Sequence, residues 1–197
     1  HDADYNYKTA DNCVGITYAE EQVGFLAGYA AVKDGMTKLG YMGGMAVPAV
    51  VKYGYGFVQG AEYAAQELGM ADGSIELMYN YTGGFDATPE AQNQAASWYN
   101  NGTEVIFAAG GAVGNSVMAA AEAAGTKVIG VDVDQSGNIN TYGEGMCVTS
   151  AMKGLGAAVK NGLDTVNAGD WSTIAGTNGN FGLEEGDYVG LPTDEAS

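Results

Sequence analysis

Residues 104–132, EVIFAAGGAVGNSVMAAAEAAGTKVIGVD, decide the fold. Glu104–Ala108 and Lys127–Val131 are too short for amphipathic helices and too continuously apolar for strands with one wet face, so both read as strands buried on two sides. Between them Val113–Ala124 carries apolar residues at three- and four-residue spacing and stops at Gly125, where a left-handed cap suits a helix end. Strand, helix and strand joined by short connections make a parallel βαβ unit.

The same grammar extends in both directions. Apolar runs at Val14–Thr17, Leu39–Gly43, Ile75–Tyr79 and Met146–Thr149 read as further buried parallel strands, and Glu20–Lys33, Pro48–Leu68, Pro89–Asn100 and Met152–Val166 as helices. Thr88-Pro89-Glu90 marks one helix start: a capping hydroxyl, a proline where its missing N–H costs nothing, and an acid favoured by the helix dipole. Gly69 and Gly102 end two more helices as Gly125 does. From Leu39 to Val131 the order is that of a doubly wound α/β fold, a parallel sheet with flanking helices.

In such sheets ligands bind outside the carboxyl ends of the strands. That rule selects Gly44, Met45 and the segment to Tyr53, the segment Asn80–Asp86, Gly110 with Gly111, and Asp132, all on one edge. Gly110 and Gly111 open a helix, so their backbone could approach a ligand closely; a tight strand-to-helix turn is the plainer use of either. The segment Gly110–Gly114 is not G-x-G-x-x-G, and no Walker lysine follows it.

Composition narrows the chemistry. The 197 residues hold 24 acidic and seven basic side chains, a net charge of -17, and every basic residue is a lysine. With no arginine and no basic patch, nucleic acids and other polyanions are excluded as partners. The single histidine, His1, leaves no Ser-His-Asp or Cys-His relay away from the chain start. Cys13 and Cys147 form no C-x-x-C pair, and they either pair with each other or stay buried. No apolar run is long enough for a transmembrane helix, and no signal-peptide pattern opens the sequence, which therefore reads as a mature piece. No cofactor motif is present.

Six segments, in order, carry a family resemblance: Glu20–Lys33 (EEQVGFLAGYAAVK), Leu39–Pro48 (LGYMGGMAVP), Tyr53–Gly60 (YGYGFVQG), Val105–Gly114 (VIFAAGGAVG), Val128–Gln135 (VIGVDVDQ) and Thr149–Lys153 (TSAMK). Together they resemble the basic membrane lipoproteins (BMP family) of the nucleoside-binding type, substrate-binding components of ABC transporters with the type I periplasmic binding fold. The resemblance implies two α/β lobes joined by three crossovers, with residues 1–36 a partial first lobe and crossover, 37–148 a complete second lobe, and 149–197 a return to the first. It implies a nucleoside ligand, with a purine favoured, ABC permease subunits as partners, an extracytoplasmic or periplasmic location, and a lipid anchor that this chain lacks.

The resemblance also gives residues roles. Asp132 resembles the aspartate that accepts hydrogen bonds from ribose hydroxyls, where position alone would equally allow a turn carboxylate. Lys153 resembles a lysine near the ribose, although most lysines are simply solvated. Phe85, in a glycine-flanked loop, would stack on the base, worth about 1–3 kcal/mol; packing under its own loop is the alternative. Tyr18 resembles an aromatic at the lobe junction, and Tyr53 and Tyr55 read as helix core.

Residues 132–139, DVDQSGNI, also match the first eight positions of an EF-hand loop. The closing position falls on Gly143 instead of a glutamate and a strand precedes the loop, so no metal is expected; Asp134 is read as shaping the loop. Two other functions compete with the importer reading: a ligand-sensing domain of a signalling system using the same site, and a nucleotide-dependent enzyme of doubly wound fold, which would need a base or phosphate clamp not found here.

Overall fold

The computed structural model describes residues 9–193, and His1 lies outside them. In chain order the elements are β1 (Gly15–Tyr18), α1 (Glu20–Lys33), β2 (Lys38–Gly43), α2 (Pro48–Glu67), β3 (Glu76–Tyr81), α3 (Pro89–Asn100), β4 (Val105–Ala109), α4 (Val113–Ala124), β5 (Lys127–Asp132), α5 (Ser136–Ile139), β6 (Cys147–Lys153), α6 (Leu155–Asn167), β7 (Asn178–Phe181) and β8 (Val189–Gly190). Six strands form one sheet in the order β3-β2-β4-β5-β6-β8, parallel except for β8, while β1 and β7 form a separate parallel pair.

Strand alternation divides the core in two. Leu39, Tyr41, Phe107, Ile129 and Val131 face α1 and α2, whereas Met42, Ile106, Ala108 and Val128 face α3 and α4. Central strands buried on both faces explain why their sequences show continuous apolar runs. β3 departs from that expectation: it begins one residue later than Ile75, runs on to Tyr81, and is an edge strand with Met78 and Tyr79 exposed.

α1 and α2 pack with their backbones nearly touching. Gly24 and Gly28 lie against the carbonyls of Tyr53 and Phe57, and Gly56 and Gly60 against those of Glu21 and Phe25. Paired glycines four residues apart on each helix leave no side chain between the two axes.

Helix ends follow local chemistry. Gly69, Gly102 and Gly125 all take positive φ. The Thr88 hydroxyl accepts a 3.1 Å hydrogen bond from the Ala91 amide at the start of α3. Thr88→Ala should therefore cost about 1 kcal/mol, read as a lower midpoint in urea denaturation with an unchanged slope.

At the other end of the chain the structure corrects a boundary. β6 continues through Lys153 and α6 starts at Leu155, so Met152 and Lys153 are strand and not helix. β8 pairs with this extension, Lys153 opposite Val189, and holds it extended. α6 leaves Leu155, Val159, Leu163 and Val166 exposed on one face, with Ala158 its sole buried residue. Both cysteines are free thiols. Among the described residues no helix is long and apolar enough to cross a membrane.

Between the two sheets the described chain passes three times: from β1 to α1, from β6 through α6 to β7, and from β7 to β8. Two of those passages, at Tyr18–Glu20 and at Lys153, border the cleft described next.

Candidate ligand-binding site

The carboxyl ends of β4, β5 and β6 and the start of α2 border a half-open cleft of about 70 Å³ lined by Ala49, Val50, Tyr53, Phe85, Ala109, Gly110, Gly111, Val131, Asp132 and Lys153. Five of the seven residues singled out in the sequence, Phe85, Gly110, Gly111, Asp132 and Lys153, are brought together here. Tyr18 stands just behind, with the Lys153 ammonium 5.7 Å from its ring centre. Met45 is 43% exposed and is not among the lining residues.

Asp132 ends β5 with φ at +68°, the single non-glycine residue with positive φ among those described. An L-residue there costs about 1–2 kcal/mol, a strain of the kind that gathers at functional sites. The conformation turns the chain sharply, and Asp134 completes the turn: its carboxylate accepts from the Ser136 amide and hydroxyl at the start of α5. That carboxylate thus caps a short helix, the loop-shaping part expected of it. Among the described residues no group of three acidic, cysteine or histidine side chains is placed to hold a metal.

The Asp132 carboxylate, 48% exposed, meets the Lys153 ammonium at 3.3 Å, and the Tyr53 hydroxyl donates to it over the same distance. Lys153 is only 15% exposed, and its ammonium also lies 3.2 Å from Glu20 and 5.2 Å from the Tyr53 ring centre. Burial pulls the Lys153 pKa down, but the charges of Asp132 and Glu20 outweigh it and leave the pKa above the ordinary lysine value. Lys153 is therefore fully charged at neutral pH. Burial, followed by the Asp132 and Glu20 charges, pushes the Tyr53 hydroxyl far above the usual tyrosine range, so it stays a neutral donor.

Phe85 packs under its own loop and also lines the cleft. Its carbonyl accepts from the Ala112 amide at the head of α4 and its ring packs on Gly44, while it still lines the cleft. Gly110 is so close to the Gly44 backbone that an added Cβ would lie 2.7 Å from the Gly44 nitrogen, and Gly111 has φ +57°. Both glycines are required by the turn itself, whatever they offer a ligand.

Tyr53 ends the segment that the strand-end rule selects, yet reads individually as helix core; it is buried as such, and its hydroxyl reaches Asp132. Glu20 is the site residue that the sequence marks only as part of α1. Its signal was present: Glu20, Val23, Gly24, Ala27, Gly28 and Ala31 share the buried stripe of α1, so a charge stands in apolar register.

Similar folds occur in solved solute-binding proteins of ABC transporters, such as one from Aeropyrum pernix K1 (TM-score 0.75, 23% identity, covering 92% of this chain and 50% of that one). The chain belongs to the Bmp family, ABC transporter substrate-binding protein PnrA-like, whose family model matches residues 2–197. Basic membrane protein B of Borreliella burgdorferi is 32% identical over 187 residues, 92% of this chain and 51% of that protein. The ABC transporter nucleoside-binding protein BmpA of Lactococcus lactis is 28% identical over 205 residues, 96% of this chain and 55% of BmpA. The chain thus spans about half the length of these relatives.

Proposed function

We propose that this chain forms one side of the pocket of an extracytoplasmic solute-binding protein that captures a nucleoside between two lobes and presents it to an ABC permease. The observation that carries the reading is the Asp132–Lys153 pair at the edge of a cleft otherwise lined mainly by apolar and glycine residues. A half-exposed carboxylate accepts from hydroxyls and a charged amine beside it donates, which suits the vicinal diol of a ribose. Phe85, Ala109 and the Gly110–Gly111 backbone offer a flat wall for a base, with a purine preferred for its larger stacking face. The likeness to BmpA, named as nucleoside-binding, supports the same ligand.

Two carboxylates balance the Lys153 and Lys52 ammoniums and the chain has no arginine, so the site offers a phosphate no net positive charge. The protein acts by binding a closed state more tightly than an open one, without catalysis. The proposed division takes residues 1–36 and 149–197 as the first lobe and its crossovers and 37–148 as the second lobe, with α1, the end of β6 and β8 as crossover segments packed on the second lobe's sheet. The exposed apolar stripe of α6 and the isolated β1–β7 pair favour that division, since two strands alone make no stable sheet. In this reading a lipid anchor tethers the protein to the membrane.

Calorimetry of the full-length protein with adenosine, guanosine, inosine and uridine should give binding to at least one. Silence toward all four at millimolar concentration would sink the nucleoside reading. Residues 1–197 alone should bind weakly, and tight binding by them would mean the pocket needs no complete first lobe.

A further inference from the structure

Glu20 is the least exposed charged side chain at the cleft, 3% exposed, and it lies behind Lys153, away from the cleft lining. Its Oε1 is 3.2 Å from the Lys153 ammonium; Oε2 is buried without a hydrogen bond, 3.7 Å from the Lys52 ammonium. Burying a carboxylate costs several kcal/mol unless it is paired. A first-turn acid needs no burial to profit from the helix N-terminus, and Glu21 supplies another in the same turn. Helix capping alone does not explain where Glu20 sits.

The explanation lies in what Lys153 would do without it. An ammonium has three donors. With Asp132 as its single anionic neighbour, Lys153 would collapse onto that carboxylate and occupy the acceptor that a ligand hydroxyl needs. With Glu20 3.2 Å and Asp132 3.3 Å away, the ammonium bridges two carboxylates, which engage two of its three donors while Lys153 lines the cleft. The aromatic rings of Tyr18 and Tyr53 confine it laterally, at 5.7 and 5.2 Å from their centres. Lys52, whose ammonium also lies 3.4 Å from the Tyr18 carbonyl, offsets the second negative charge.

We propose that Glu20 is a positioning residue for the ligand site: it shares the Lys153 ammonium with Asp132 Oδ1, leaving the other Asp132 oxygen as a hydroxyl acceptor and Lys153 poised as a donor. This rests on the nucleoside reading above. The pair also joins two passages of chain between the sheets, β1 to α1 and the end of β6, so the lysine is anchored at the junction and not to its own strand alone.

In the full-length protein, Glu20→Gln should weaken binding of the nucleoside at least tenfold by calorimetry. In a Lys153→Met background the same substitution should change affinity less than twofold, because the group it positions is gone. A merely structural Glu20 would give a lower melting temperature with wild-type affinity, or equal losses in both backgrounds, and either result overturns the proposal. Glu20→Asp keeps the charge but withdraws it; a severalfold loss of affinity is expected, which preserves the test if Glu20→Gln folds poorly.

A second arm needs no ligand. The Nζ resonance of Lys153, followed by NMR in labelled protein, should titrate at lower pH in Glu20→Gln than in wild type, and an unmoved titration overturns the proposal. If wild-type protein binds no nucleoside, the functional reading fails by itself, and the NMR arm still decides whether Glu20 holds Lys153.

Discussion

Gly60→Ala should lower the melting temperature of this chain by about 4–8 °C, the value for a loss of about 2 kcal/mol in a domain of this size. A Cβ at Gly60 would stand 2.7 Å from the carbonyl carbon of Phe25 and closer still to its oxygen, so the obstacle is helix backbone with no flexible side chain to yield. Overpacking of that kind costs about 3 kcal/mol, partly offset by the roughly 1 kcal/mol that alanine gains over glycine in a helix. Gly28→Ala meets the Phe57 carbonyl in the same way and should behave alike. The control is Gly162 in α6, where an added Cβ meets nothing within 4 Å. Gly162→Ala should raise the melting temperature by about 2–4 °C. Thermal scans in which Gly60→Ala and Gly162→Ala move the same way would show that the α1–α2 backbones are not in close contact.

Asp132→Gly should abolish most nucleoside binding, a loss of tenfold or more, yet melt no lower than Asp132→Ala. The two effects separate because Asp132 does two things. Its carboxylate lines the cleft, and either substitution removes it. Its backbone sits at φ +68°, where alanine keeps the strain of about 1–2 kcal/mol and glycine relieves it. The ion pair lost with Lys153 is half-exposed on the aspartate side and contributes little to stability. Glycine also adds entropy to the unfolded chain, roughly 0.5–1 kcal/mol, so its net stability should fall within about 1 kcal/mol of wild type. Paired calorimetry and thermal melts on both variants check this; an Asp132→Gly protein that binds normally would remove Asp132 from the site.

How much of the site was legible varies by residue, for physical reasons. Asp132, Gly110 and Gly111 could be placed because parallel strands put their carboxyl ends on one edge, and the strands themselves were marked by apolar runs. Phe85 could be placed near that edge, but the sequence offered no way to choose between stacking and loop packing; the ring lies on Gly44 and on the cleft at once. Lys153 owed its place to family likeness, and its strand conformation depends on β8, a two-residue partner more than thirty residues away in sequence. Such a partner leaves no periodic signal.

By itself, then, the sequence determined the elements and their parallel order, because hydrophobic period, helix caps and glycine stops act over a few residues. It also determined what the chemistry lacks: arginine, and histidine away from the chain start. Tertiary structure alone decided that β3 is an edge, that the glycines of α1 and α2 face one another, and that Tyr53 reaches Asp132. It alone placed Glu20 behind Lys153, since a charge in apolar register tells that something must neutralise it and not which residue does. Pairings across 79 and 133 positions of chain are set by how layers pack, and packing has no local code.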